Sequence, residues 1–174
     1  RKIATDNNIV LVFDECSSGF RETMGGLHKK YDVEPDIAIF GKALGNGYAI
    51  TAVIGRREIM EHAQTSFISS TFWTERIGPA AAVKTLEVME RIKSYEQITE
   101  TGMAIGLGWK KLAETYNLSI KVSGLPSMIG FNFDSINSLR YKTLIAQEML
   151  KQGYLASNSV YACIDHTPGI LEEY

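Results

Sequence analysis

Asp14 and Lys42 are the two residues whose types and surroundings could support chemistry. Asp14 directly follows residues 9–13, Ile-Val-Leu-Val-Phe, an apolar run typical of a strand buried on both faces of a parallel sheet. A carboxylate at that point lies in the crevice where open α/β sheets bind ligands. Lys42 follows a second such run at residues 36–40. Among small and apolar neighbours its charged form would be disfavoured by desolvation, and Schiff-base chemistry requires a neutral amine.

The two residues together indicate a more specific chemistry than either one alone. Pyridoxal-phosphate (PLP) chemistry requires a lysine for the cofactor aldehyde and an acid for the pyridinium nitrogen. Asp14 precedes Lys42 by 28 residues, and two parallel neighbouring strands would place both side chains in one crevice. Three other interpretations stay open: Asp14 could cap a turn, residues 10–15 could be a Walker B strand, and Lys42 could be a solvated surface residue. No GxxxxGK[ST] motif accompanies the Walker B pattern in this chain.

The elements that would position these groups fall into two sets. The pattern predicts strands, a long polar loop and a long amphipathic helix first, and a small α+β set after residue 117. Strands are predicted at residues 9–13, 36–40, 50–55, 119–122, 128–133 and 154–156, and helices at 57–62, 77–92, 95–116 and 139–152. We predict a boundary within residues 94–100, which gives domains 1–95 and 96–174. Gly102, Gly106 and Gly108 lower helix propensity, which indicates close packing of their helix against a neighbour.

Composition and charge exclude several classes of protein. The 174 residues are 45% hydrophobic and carry a formal net charge of −2, which argues against a nucleic-acid-binding surface. No run approaches the roughly 20 apolar residues of a membrane span, and the first residues are not those of a signal peptide. Cys16 and Cys163 lie far apart, no CxxC motif is present, and His28, His62 and His166 share no common spacing. We therefore predict neither a disulfide framework nor a metal site, and expect a cytoplasmic protein.

Several ordered motifs resemble those of one enzyme family, the class III aminotransferases of the fold-type I PLP enzymes. The similar segments are the family's aspartate segment at residues 10–21, its lysine segment at 35–47, its threonine-bearing stretch at 70–72 and 80–87, and small-domain features at 124–130 and His166-Thr167. The small-domain features are closest to those of glutamate-1-semialdehyde aminomutase-like members. The resemblance covers essentially the whole chain.

The resemblance implies a role for each of four residues. Lys42 would form the internal aldimine with PLP and then shuttle a proton between the substrate carbon and the cofactor. Asp14 would pair with the pyridinium nitrogen, and Cys16 would lie against one face of the ring. Thr71 would reach the phosphate of the cofactor in the partner subunit, which implies a homodimer with its active site at the interface. The implied fold is α/β, namely the carboxyl-terminal half of a three-layer α/β/α large domain followed by a small α+β domain.

The implied activity is PLP-dependent transamination between a small-molecule amino donor and an aldehyde or keto acceptor. One alternative is an aminomutase of the glutamate-1-semialdehyde type, which moves the amino group within one substrate. A second alternative is a non-catalytic scaffold or binding relic of the same fold. Ser17 departs from the family pattern, because many members have a Gln there that contacts the ring hydroxyl.

Length is the largest departure from the family. Family chains are more than twice as long, so the sequence is expected to be a fragment. The amino-terminal part of family members carries the phosphate-binding turn and the aromatic residue that stacks on the ring. We therefore expect the isolated piece to bind PLP weakly, even though Lys42 and Asp14 are present.

Overall fold

The computed structural model describes residues 1–174, which divide into two compact units, Arg1–Tyr95 and Glu96–Tyr174. The helices are α1 (Lys2–Asp6), α2 (Arg57–Met60), α3 (Ile77–Ile92), α4 (Ser94–Thr115), α5 (Ser138–Lys151) and α6 (Pro168–Glu173), and the strands are β1 (Val12–Asp14), β2 (Ile37–Phe40), β3 (Ala52–Gly55), β4 (Ile120–Leu125), β5 (Met128–Phe133) and β6 (Ser159–Tyr161). Short 3₁₀ helices lie at Leu27–Tyr31, Lys42–Leu44 and Glu61–Thr65. None of the helices has the length and apolar character needed to cross a bilayer.

The first unit is built on a three-stranded sheet in the order β1-β2-β3. β1 and β2 are parallel, with Asp14 opposite Ile39, and β3 is antiparallel to β2. Apolar side chains of β2 pack with the 3₁₀ turn after it and with α3, and the buried ones are Ala38, Phe40, Leu44 and Ala82. The amphipathic spacing of α3 therefore serves to cover this sheet, and the bounds predicted for this helix are confirmed.

The prediction of a fully buried first strand is wrong for this chain. Only Val12 and Phe13 of the apolar run lie in the strand, which ends at Asp14, and Ile9 and Val12 are 55% and 46% exposed. The physical reason is that β1 lies at the edge of the sheet, with β2 as its one strand neighbour. β3 forms the other edge and is also shorter than predicted, and its residues Val53 and Ile54 are exposed.

The second unit has an antiparallel sheet in the order β4-β5-β6. β4 and β5 form a hairpin in which Leu125 faces Met128 across a two-residue turn. The buried core combines α4 with β5, through Ile105, Trp109, Ile129 and Phe131. Helices together with an antiparallel sheet form an α+β arrangement, as the pattern after residue 117 predicts.

The strand predicted at residues 154–156 is absent. That segment has no regular structure, and Leu155 is 96% exposed. Pairing begins later because Asn158 fixes the chain beside β5: its backbone oxygen accepts from the Phe131 N–H at 2.9 Å, and its side-chain amide donates to the Phe131 carbonyl at 2.8 Å. The strand β6 therefore follows Asn158 rather than Gly153.

Close packing of α4 is confirmed at two of its three glycines. A Cβ on Gly102 would lie 1.7 Å from the Pro126 carbonyl oxygen, and one on Gly106 would lie 2.4 Å from Ile129 Cδ1. Both glycines thus let the helix approach the β4–β5 hairpin. The prediction is wrong for Gly108, where a Cβ would meet no atom within 4 Å.

Candidate active site

The carboxyl edge of the parallel pair β1–β2 brings Asp14 and Lys42 together. Asp14 is the last residue of β1 and is registered with Ile39 of β2, while Lys42 follows the end of β2 by two residues. The two parallel neighbouring strands predicted from the sequence are therefore present. The Lys42 ammonium donates a hydrogen bond to the Ser17 hydroxyl, and its charge attracts the Asp14 carboxylate. The carboxyl ends of β1 and β2 thus bring together the Asp14 carboxylate, the Lys42 amine and the Ser17 hydroxyl.

Asp14 is held as an anion by its own turn. Its Oδ1 atom accepts from the Cys16 N–H at 3.0 Å, the geometry of an Asx turn. That backbone hydrogen bond, then the Cys16 thiol, and finally the charge of Lys42 hold the pKa of the Asp14 carboxyl below its ordinary value. Because the residue is exposed at the sheet edge, the carboxylate is both ionised at neutral pH and accessible to a ligand.

The backbone that carries Lys42 is anchored and strained. Lys42 has φ +41°, in the left-handed region that non-glycine residues seldom occupy. Leu44 in the same 3₁₀ turn is buried in the core, and the Lys42 carbonyl accepts from Gly45 and Asn46. Strain of this kind persists where surrounding structure enforces it and is concentrated at functional sites. The left-handed backbone conformation of Lys42 therefore fits a residue whose side chain must be held in a fixed position at a functional site.

The expectation that Lys42 is buried is wrong for this chain. The residue is exposed, although Gly41 before it and Leu44 after it are buried. The reason is that Lys42 follows the carboxyl end of β2, at the same edge of the sheet as Asp14. Lys42 thus extends over that edge to Ser17 rather than into the core.

Cys16 lies between the aspartate turn and the lysine turn. It is half-buried, and a Cβ on Gly41 would lie 3.4 Å from its Sγ atom. Burial, followed by the hydrogen bond to the Asp14 carboxylate and its negative charge, raises the pKa of the Cys16 thiol. The side chain is therefore a neutral, weakly polar surface beside the Asp14–Lys42 pair.

Thr71 stands outside this group of contacts. It lies in an exposed turn of residues 71–74 that precedes α3. Glu75 connects that turn to the helix: its carboxylate accepts from the Ile77 N–H at 2.6 Å and from the Gly78 N–H at 3.2 Å. These bonds satisfy two of the unpaired N–H groups at the helix start, so the segment that carries Thr71 has a fixed attachment to α3.

Two buried carboxylates of the first unit, one next to Asp14 and one at the start of β2, have partners that were not predicted from the sequence. Glu15 accepts from Ser18 and from both the backbone N–H and the ring of His28. The signal for it was the Asp14-Glu15 doublet, because alternation along a strand sends two consecutive side chains to opposite faces. His28 itself gave no signal, since it lies 13 residues from Glu15 along the chain.

Asp36 is the second missed carboxylate. It is 3% exposed and accepts from the Leu11 N–H at 2.8 Å, with Arg1 at 2.9 Å and Arg56 at 3.3 Å. It thereby joins the segment before β1 to the start of β2 and the end of β3. Its place directly after Pro35 and before an apolar strand was the available signal.

The set of groups at the edge suits a specific kind of ligand. The Asp14 anion can pair with a protonated nitrogen of an aromatic ring, and the Lys42 amine can react with an aldehyde. The neutral Cys16 side chain can contact the face of such a ring. These three groups therefore fit the pyridinium nitrogen, aldehyde and ring face of PLP.

Comparison with known proteins identifies the family. The family model for class III aminotransferases matches residues 1–168. The chain is 35% identical over 176 residues to the 3-aminobutyryl-CoA aminotransferase of Cloacimonas acidaminovorans, covering 96% of this chain and 42% of that protein. It is 33% identical over 145 residues to a glutamate-1-semialdehyde 2,1-aminomutase of Methanocaldococcus jannaschii, covering 82% of this chain and 34% of that protein. The chain thus spans less than half the length of these curated relatives.

Solved structures agree with the sequence comparison. The FumI protein of Sphingopyxis sp., solved in its PLP internal aldimine form, superposes with a TM-score of 0.91 at 26% identity, covering 99% of this chain and 42% of that one. The fold is therefore that of the PLP-dependent fold-type I transaminases, with mixed helix and sheet content. Since the family model spans nearly every residue and the relatives exceed 30% identity, the chain belongs to the class III aminotransferase family.

Proposed function

We propose that the full-length protein is a PLP-dependent aminotransferase that moves an amino group from a small-molecule donor to an aldehyde or keto acceptor. The observation that carries the proposal is the presence of an ionised Asp14 and of Lys42 at the same carboxyl edge of two parallel strands. Membership of the class III family supports the reaction type. Residues 1–95 would be part of the PLP-binding large domain, and residues 96–174 would contribute a helix and much of the small domain.

The roles proposed for the residues follow from their chemistry. When bound, PLP supplies an electron sink for the carbon that carries the amino group. Asp14 would keep the ring nitrogen protonated, and Cys16 would contact the ring face. Lys42 would bind the cofactor aldehyde through Nζ, and its amine would hold or move the proton at the substrate carbon. Ser17, which accepts from Lys42 here, would orient that amine.

We further propose a homodimer in which Thr71 contacts the phosphate of the cofactor bound by the partner subunit. Large apolar side chains flank Thr71 on an exposed surface: Phe67 is 95% exposed, Phe72 61% and Trp73 68%. Exposed apolar groups of this size are a feature of protein–protein contact sites, which supports an interface at this segment. A cytoplasmic location is proposed because Cys16 and Cys163 are both free thiols.

A glutamate-1-semialdehyde-type aminomutase is the second candidate. Its support is the 33% identity to the mutase of Methanocaldococcus jannaschii. A mutase returns the amino group to the substrate skeleton that donated it, whereas a transaminase delivers it to a second molecule. The two functions therefore differ in which molecule carries a labelled nitrogen after the reaction.

The test uses the full-length protein loaded with PLP. A panel of ¹⁵N-labelled amino donors is incubated with pyruvate or 2-oxoglutarate, and mass spectrometry locates the label. We expect ¹⁵N in the acceptor, and Lys42→Ala should lower the rate by about 10³-fold or more because it removes the proton-transfer group. Lys84→Ala, which removes an exposed lysine of α3, is the matched control and should retain the native rate.

Each other outcome has a defined meaning. Unchanged transfer in Lys42→Ala would overturn the role of Lys42. With ¹⁵N-labelled glutamate-1-semialdehyde as donor, label that moves from carbon 2 to carbon 1 of that skeleton, with none in any added acceptor, would replace the transaminase with the mutase.

A further inference from the structure

A buried carboxylate lies directly beside the catalytic aspartate of the proposed site. Glu15 follows Asp14 but points into the protein, where it is only 3% exposed. A buried charge is costly unless donors surround it, and three are present. The Ser18 hydroxyl donates to Oε2 at 2.5 Å, while the His28 N–H and His28 Nδ1 each lie 3.0 Å from Oε1.

His28 is matched to this carboxylate by its ring as well as its backbone. Burial by itself raises the pKa of Glu15. Hydrogen bonds from the Ser18 hydroxyl, from the backbone N–H groups of Leu27 and His28 and from the His28 ring outweigh burial, so the pKa is lowered. An ionised carboxylate only accepts hydrogen bonds, so Nδ1 of His28 carries the hydrogen. The imidazole is 9% exposed and its centroid lies 6.0 Å from that of Phe13 in β1.

The Glu15–His28 contact closes a loop whose first residues make the contacts of the site. Glu15 continues the pairing of β1 with β2, since its N–H donates to the Ile39 carbonyl at 2.8 Å. The next residue, Cys16, supplies the N–H that Asp14 accepts. Ser17 supplies the hydroxyl that Lys42 contacts. The path of the backbone just after Glu15 therefore determines both contacts.

We propose that Glu15 and His28 are positioning residues for Asp14 and Lys42: by fixing the start of the loop at residues 15–28, they hold the Cys16 N–H on Asp14 and the Ser17 hydroxyl on Lys42. The catalytic meaning of this role rests on the proposed function. The contacts themselves do not, so they are open to a test that needs neither cofactor nor turnover.

The reactivity of Cys16 reports on this geometry. In the native arrangement burial and the Asp14 carboxylate raise the pKa of the thiol by more than the positive charge of Lys42 lowers it, so the thiolate fraction and the reactivity are low. If the loop is released, Cys16 separates from Asp14 and becomes more exposed. Both changes favour the thiolate, so alkylation of Cys16 becomes faster.

The experiment measures the rate of Cys16 alkylation by iodoacetamide in the full-length protein without PLP, with quantification of the Cys16 peptide by mass spectrometry. The variants are Glu15→Gln, His28→Leu and His28→Asn, since the Asn amide can replace the donor at Nδ1. We expect Glu15→Gln and His28→Leu to react about threefold to tenfold faster, because the thiol would lose part of its burial and its contact with the Asp14 carboxylate. His28→Asn should stay within about twofold of the native rate.

Two further measurements make the result decisive. His62→Leu removes an exposed histidine of the same unit and should leave the Cys16 rate unchanged. Circular dichroism and thermal midpoints identify variants that have lost their fold. Should Glu15→Gln fail to fold, the comparison of His28→Leu with His28→Asn gives the answer alone.

Equal Cys16 rates in the native protein and in folded Glu15→Gln and His28→Leu would overturn the proposal. Equally fast alkylation in His28→Asn and His28→Leu would also overturn it, because the ring donor would then have no specific part. Global unfolding of both His28 variants would also overturn the proposal, because the Glu15–His28 pair would then stabilise the whole unit rather than position the loop. A protein that shows the expected rates but never binds PLP would leave the positioning role intact and refute the proposed function instead.

Discussion

The Asp14 carboxylate depends on three neighbours for its charge and its direction. The Cys16 N–H and thiol and the Lys42 ammonium all favour its ionised form and lower its pKa. These contacts come from residues within one turn and from the end of the adjacent strand, so the sequence spacing of Asp14 and Lys42 was sufficient to predict the pair. The Glu15–His28 contact gave no such signal, because nothing in the sequence relates residue 28 to residue 15.

Asp14→Asn tests the part played by this charge. The Asn side-chain oxygen can still accept from the Cys16 N–H, so we expect the fold and thermal midpoint of the full-length protein to be nearly unchanged. An amide carries no negative charge to keep the ring nitrogen protonated, so kcat should fall by about 10²-fold or more. Asp6→Asn, at an exposed residue of α1, is the control and should keep the native kcat.

The pH dependence of activity gives a second check on Asp14. Its folded pKa lies below the ordinary value of 3.8, so the carboxylate is almost fully ionised at every pH above about 5. We therefore expect that titration of Asp14 causes no fall in kcat/KM of the native protein above about pH 5. An acid limb between pH 5 and 7 that disappears in Asp14→Asn would contradict the ionisation state described here.

Helices and strands differed in how well the sequence predicted them. The bounds of α3 follow from its own repeating apolar face, which is a local property of the chain. The burial of β1 could not be predicted in this way, because Val12 is exposed or covered according to which strands lie beside it. Residues 154–156 resembled a strand, but Asn158 selects the later segment through its two bonds to Phe131.

The glycines of α4 give a matched pair of substitutions for its packing. Gly102→Ala places a Cβ 1.7 Å from the Pro126 carbonyl oxygen, so the helix must move away from the hairpin. We expect the free energy of unfolding to fall by about 1–3 kcal/mol. Gly108→Ala meets no atom within 4 Å and should raise it by about 0.5–1 kcal/mol through helix propensity. Urea denaturation of both variants checks this, and equal effects of the same sign would contradict the packing described for α4.

Asp36 makes the sheet of the first unit sensitive to acid. The Leu11 N–H, then Arg1 and Arg56, lower the pKa of its carboxyl below 3.8. A group whose folded pKa is depressed stabilises the protein fully above its unfolded pKa and loses that contribution as the pH falls through the folded value. Its stabilising effect is therefore complete at neutral pH and decreases below about pH 4.

Asp36→Asn should consequently lower the thermal midpoint at pH 7 and flatten its dependence on pH below 4. The amide loses the negative charge that faces both arginines, so less stability remains to be titrated away. Thermal melts of the full-length protein between pH 2.5 and 7 provide the measurement, with Asp6→Asn as the exposed control. Identical acid limbs in Asp36→Asn and the native protein would show that the ion pairs contribute nothing to acid stability.

The whole chain matches its relatives over almost its entire length while spanning less than half of theirs. Family, fold and the Asp14–Lys42 pair were accessible from the sequence because each depends on motifs within this segment. The expected burial of Lys42 was not met, because its side chain extends to Ser17 rather than into the core. Thr71 lies in a separate exposed turn, outside the contacts of Asp14 and Lys42.

The lysine that binds PLP can be identified by chemical labelling. The full-length protein is loaded with PLP, reduced with borohydride, digested, and the pyridoxyl-modified peptide is sequenced by mass spectrometry. We expect one stoichiometric label, on Lys42, and its loss in Lys42→Ala but not in Lys84→Ala. A pyridoxyl group on any other lysine, or a protein that takes no label while it binds PLP, would contradict it.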